Sequence, residues 1–116
     1  MTFHKYLLDA KMFEYDKHYR NCKQSNIPFI KAKNNPKHRN YFVQIDLITC
    51  NYELSYKKQD EIKKLIESEI TFIKLNSNFD FQGFSIDKEL AWFDGIPLEH
   101  VDNFCKNLYS LTQKNH

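Results

Sequence analysis

The chain has 116 residues, three cysteines, only two glycines and a formal net charge of +2. That length matches one domain, able to bury about two-thirds of its unfolded surface without a disulfide or a metal. Cys22, Cys50 and Cys105 are odd in number, widely spaced and free of any CxxC, so they read neither as a disulfide framework nor as a zinc site, and no stretch approaches the roughly 20 apolar residues of a membrane span.

Residues 3–23 open the chain with two overlapping apolar stripes. One runs through Phe3, Tyr6, Leu7, Ala10 and Phe13, the other through Met12, Tyr15, Tyr19 and Cys22. The spacing predicts a helix covered on more than one side. Residues 27–33 predict a strand, placed at an edge or a strand start by Pro28. Residues 34–40 form a polar turn with an Asn-Pro signal. From Tyr41 to Cys50 the pattern has period two: Tyr41, Val43, Ile45 and Leu47 share a face, with Gln44 and Asp46 opposite. The two strands can pair as a hairpin.

Residues 55–70 predict a second helix, with Ser55 as its N-cap and an Asp60–Lys64 pair one turn apart. Short strands are expected at 70–75, 79–86 and 90–93, an antiparallel meander punctuated by Asp94-Gly95. Pro97 suits the start of a last helix, Glu99 the first turn, and Leu98, Val101, Phe104, Cys105, Leu108 and Leu111 form its apolar stripe. The predicted order is α-β-β-α-β-β-β-α. Without a βαβ series this is an α+β chain with an antiparallel sheet of about five strands and three helices. The helices would cover one face, or the first would sit apart from the other two. The reading gives one domain over 1–116.

The small net charge conceals an uneven distribution. Residues 1–40 hold nine Lys/Arg against three Asp/Glu, a net of +6, and residues 41–116 hold eight against twelve, a net of −4. Such asymmetry marks opposed surface fields that select partners.

Sharp catalytic motifs are absent. Gly83 and Gly95 cannot build a glycine-rich phosphate loop, and there is no GxSxG. His18 and Cys22 share a helix face at i, i+4, but zinc needs three or four ligands. His100 and Asp102 are two residues apart on a helix and do not face each other. Asp80, Asp87, Glu89 and Asp94 cluster in the meander, with nothing in their spacing to separate acid–base chemistry from solvated turns. The chain therefore predicts no enzyme, no cofactor and no metal.

Two binding readings remain. Residues 78–102 carry six carboxylates against Lys88, together with Phe79, Phe81, Phe84, Trp92 and Phe93. Rings anchor an interface and carboxylates steer a basic partner. The leading expectation is a small protein-binding inhibitor: an immunity protein neutralising a nuclease toxin, or a phage anti-defence protein. Trp92 and Phe93 would be its anchors, and Asp87, Glu89 and Asp94 its steering charges. The alternative is a nucleic-acid-binding accessory domain, in which Lys31, Lys33, Lys37 and Arg39 neutralise phosphates and Tyr41 stacks on a base. The expected location is the cytoplasm, with reduced thiols and no membrane contact. The apolar run before Asp9 is too short for a signal peptide.

Overall fold

A computed structural model describes residues 6–35, 37, 40–76 and 83–112. Its elements are strand β1 (Leu7–Leu8), helix α1 (Met12–Ser25), strands β2 (Phe29–Asn35) and β3 (Asn40–Asp46), a 3-10 turn (Ile48–Cys50), helix α2 (Tyr56–Asn76), strands β4 (Gly83–Ile86) and β5 (Leu90–Pro97), and helix α3 (Leu98–Leu111). The class is α+β, with three helices and a five-stranded sheet. Its strand order is β1-β2-β3-β5-β4.

Two predicted features are corrected. The sheet is mixed, because β1 runs parallel to β2 while the other pairs are antiparallel. Its fifth strand is β1 rather than residues 70–75, so the element order is β-α-β-β-α-β-β-α. Residues 70–75 continue α2: the inward stripe Ile62, Ile66 and Ile73 keeps its helical period to the end. Thr71, which disfavours a helix by its branching, donates its hydroxyl to the Glu67 carbonyl at 2.8 Å.

The predicted first helix begins later than its apolar spacing implies. Leu7 and Leu8 point to opposite sides of the sheet, Leu8 into the main core and Leu7 toward α1. Asp9 then turns the chain with φ 52°, a conformation that Asp tolerates better than most residues. α1 starts at Met12, and the Glu14 carboxylate reaches back to the Lys11 N–H at 3.4 Å. It ends in a Schellman turn: Asn26 is left-handed, Ile27 N–H donates to the Cys22 carbonyl at 3.0 Å, and Asn26 N–H to the Lys23 carbonyl at 3.3 Å. Tyr15, His18 and Cys22 face inward, while Met12 and Phe13 are exposed, so α1 is covered on one side only.

The main core lies on one face of the sheet. Ile30, Ala32, Tyr41, Val43, Ile45, Ala91, Phe93 and Ile96 meet Ile62 and Ile66 of α2 and Val101, Phe104, Cys105 and Leu108 of α3. α1 packs on the opposite face, over Phe29 and Leu7. The first helix does sit apart from the other two. Ser55 caps α2 as expected, accepting from the Lys58 N–H at 3.2 Å, and Asp60 pairs with Lys64 at 3.3 Å.

β5 runs past Asp94-Gly95 to Pro97 through a bulge. Phe42 pairs with Asp94 and Tyr41 with Ile96, which leaves Gly95 as the extra residue, at φ 96°. The inserted residue reverses the alternation, so Phe93 and Ile96 both face the core. No helix of the described residues is long and apolar enough to cross a membrane.

Candidate functional site

β3 and β5 run in opposite directions, so the two ends of the sheet differ in composition. One end carries the β2–β3 hairpin, with Asn40 beside Pro97. The other joins Asp46 to Leu90. Seven residues of strand separate them, roughly 20 Å at about 3.3 Å per residue.

The second end gathers carboxylates from three segments. The Asp46 carboxylate accepts the Ile48 N–H at 2.9 Å and starts the 3-10 turn. The following loop clasps the β4–β5 turn through two backbone bonds, Leu47 N–H to the Glu89 carbonyl at 2.8 Å and Leu54 N–H to the Lys88 carbonyl at 2.7 Å. The turn closes through Asp87 N–H to the Leu90 carbonyl at 2.9 Å, and Asp87 also accepts the Lys88 N–H at 2.7 Å. Asp46, Glu53, Asp87 and Glu89 thus share one end of the sheet, Asp46 half-buried and the other three exposed, with Lys88 among them. Lys57 and Lys58 follow in the first turn of α2, where Lys58 pairs with Glu61 at 3.2 Å.

Large apolar side chains stand among these carboxylates. Ile48 is 52 % exposed and Leu90 40 %, and Tyr56 is exposed at the start of α2. A shallow pocket of about 220 Å³ is lined by Leu47, Ile48, Asn51, Tyr52, Glu53 and Glu89. Exposed aliphatic groups ringed by acids form a surface that a partner carrying Lys and Arg can cover, each long cation lying its stem along the apolar patch.

The predicted anchor-and-charge set does not stay together. Asp87 and Glu89 belong to this acidic end. Trp92 and Asp94 project from the sheet face away from the main core. Phe93 projects into the core and is 0 % exposed, so as folded it offers no surface to a partner. Adjacent residues on a strand point to opposite faces, which separates Trp92 from Phe93.

The basic set is divided as well. Lys31 and Lys33 lie on the outer face, in register with Gln44 and Phe42. The Lys31 ammonium sits 5.4 Å from the centre of the Tyr15 ring, a cation–π distance. Lys37 is exposed in the hairpin, its N–H bound to Asn35 at 3.3 Å. Arg39 lies outside the described residues, as do Phe79, Asp80 and Phe81. Tyr41 cannot stack on a base where it stands: its ring is buried and its hydroxyl donates to Asp9. That carboxylate, with burial, pushes the Tyr41 phenol up to about 12.

The remaining candidates resolve into packing. Cys22 Sγ lies 3.6 Å from His18 Nε2, both buried against Phe29. Burial, with the nearby Cys50, pushes the Cys22 thiol up to about 12. His100 faces Glu69 at 3.7 Å and Phe72, whereas Asp102 accepts the Tyr6 hydroxyl at 2.8 Å. Among the described residues no three His, Cys, Asp or Glu side chains are grouped to hold a metal ion.

Sequence patterns alone did not point to Glu53, Ile48 or Leu90, because only the long-range backbone bonds of the 47–54 loop bring them beside Asp87 and Glu89. Comparison of the chain with models of known protein families, with curated proteins and with solved structures finds no match.

Proposed function

We propose that this protein is a small non-enzymatic inhibitor, of the immunity or anti-defence kind, that covers a basic surface of a protein partner in the cytoplasm with the acidic end of its sheet. The observation carrying this reading is the clasp of the 47–54 loop on the β4–β5 turn. It holds carboxylates of separate segments around Ile48 and Leu90 before any partner arrives, so little ordering entropy is lost on binding. Ile48, Leu90 and Tyr56 take the anchoring role first expected of Trp92 and Phe93. Asp46, Glu53, Asp87 and Glu89 steer a partner rich in Lys and Arg, such as a nuclease that must itself hold a polyanion.

The test is capture from the native host by three proteins: the wild type, a double variant Asp87→Lys/Glu89→Lys, and a control Glu67→Lys on the far side of α2. The expected result is one stoichiometric basic protein, captured by wild type and control but lost from the double variant. That protein's own activity should be blocked at one-to-one stoichiometry. Capture unchanged by the double reversal would show that the acidic end is the wrong surface.

A further inference from the structure

The outer face of the sheet carries a second group of side chains that the acidic end does not use. α1 covers this face only over β1 and β2. Among the described residues β3, β5 and β4 are uncovered there, since α2 and α3 pack on the other side. Register places the outward-facing residues in two rows, of which Lys33, Ser85 and Trp92 are exposed and the others half-buried. Lys31, Gln44, Trp92 and Ser85 form one, and Lys33, Phe42, Asp94 and Gly83 the next. Phe42 and Trp92 are therefore diagonal neighbours across β3 and β5. Their rings lie nearly parallel, 24° apart with centroids separated by 6.0 Å, and Trp92 is 36 % exposed.

We infer that this face binds unpaired nucleic acid, with the Phe42–Trp92 pair as the stacking platform and Lys31, Lys33 and Lys37 as the phosphate contacts. Two nearly parallel, stacked rings offer an apolar ring surface against which a base of any sequence can lie. The cations lie to one side of that pair, Lys33 and Lys37 exposed toward the hairpin and Lys31 half-buried beside Tyr15 of α1, so a backbone passing the hairpin end of β2 would place its bases over β3 and β5. Gln44 lies between Lys31 and Trp92 as an amide that can both donate to and accept from a base edge. A duplex hides its bases, so the platform selects single strands. Asp94 is the one anion in these rows. It stands beside Phe42 on the side away from the lysines and repels a backbone from the β4 side.

Trp92 is the only tryptophan in the chain, so its fluorescence reports on this face alone. The experiment titrates the protein with unpaired oligothymidine and oligouridine of about 12 nucleotides, and with a duplex of the same length. The deoxy and ribo oligomers distinguish DNA from RNA, and quenching by either supports the inference. Three phosphate contacts predict a slope of about −2 for log affinity against log salt. Phe42→Ala should weaken binding by about tenfold or more, Lys31→Glu/Lys33→Glu should remove most of it, and Asp94→Asn should tighten it. A Trp92→Phe variant, followed by anisotropy of a labelled oligomer, should retain binding. Circular dichroism confirms that each variant is folded. The inference is overturned by no quenching at low salt, by equal affinity for duplex, or by folded Phe42→Ala protein that binds as wild type. A face that ignores every oligomer and is instead covered by a protein also overturns it.

Discussion

Tyr41 donates its half-buried hydroxyl to the carboxylate of Asp9, 32 residues earlier in the chain. The other Asp9 oxygen accepts the Asn34 N–H at 2.9 Å. One side chain thus fastens the β1–α1 connection to both strands of the central hairpin, while its own backbone sits at φ 52°. Asp9→Ala should destabilise the fold by about 1–2 kcal/mol, because the Tyr41 hydroxyl and the Asn34 N–H lose their acceptor. Asp9→Asn should cost less, since Asn tolerates the left-handed turn and keeps an acceptor oxygen. Urea denaturation of the two variants checks the order.

Trp92 and Phe93 are sequence neighbours with opposite burial, and their alanine variants should differ accordingly. Phe93 meets Phe104 edge-on at 5.1 Å in the core and the exposed Phe84 at 6.4 Å. Phe93→Ala should cost about 3–5 kcal/mol. Trp92→Ala removes the contact with Phe42 from a side chain already 36 % exposed and should cost about 1 kcal/mol. Equal losses in thermal or chemical denaturation would contradict the strand register.

Stability should fall steeply in alkali. Burial, then the bond to Asp102 and its charge, pushes the Tyr6 phenol from 10.0 to about 12. The Asp9 contact and burial do the same for Tyr41. Burial, with a smaller contribution from Asp102, takes the Cys105 thiol from 9.0 to about 12, as burial beside Cys50 does for Cys22. All four groups are neutral when protonated and hold their protons more tightly folded than unfolded. Their contribution is intact below the unfolded values and is lost as pH rises through about 9 to 12. Denaturant midpoints measured from pH 8 to 11 should decline, and a flat profile would show that the folded chain holds these protons no more tightly than the unfolded one.

The three thiols should behave as packing groups. Cys22, Cys50 and Cys105 are all buried and unbridged, and a reagent needs an accessible thiolate. Native protein should react with a thiol reagent only at the rate of opening, and all three cysteines should react at once in denaturant. A single rapidly labelled cysteine would identify a local opening.

The parts of the fold readable from sequence were those with a sustained period. Tyr41, Val43, Ile45 and Leu47 alternate cleanly, and Leu98 to Leu111 keep a helical stripe, so β3 and α3 were legible. β1 has two residues, too few to carry any period, and Leu7 fell by chance on a helical spacing with Ala10. Ile70 to Leu75 are rich in branched and aromatic residues that suit a strand. The buried stripe from Ile62 to Ile73 outweighed that preference. At the site, Asp87 and Glu89 were legible as an acidic turn. The division of Trp92 from Phe93 was not, because Leu90 and Trp92 on one parity are as apolar as Ala91 and Phe93 on the other. Only pairing with β3 decides which set is buried.

Gly95 makes the final helix sensitive to length rather than to chemistry. Deleting that one residue would restore plain alternation, turn Ile96 outward and launch α3 from the wrong side of the sheet. A substitution at 95 strains one torsion, whereas a deletion would misdirect the fourteen residues of α3 that close the core. Variation in this chain should therefore accept changes of side chain along β5 far more readily than changes in its residue count.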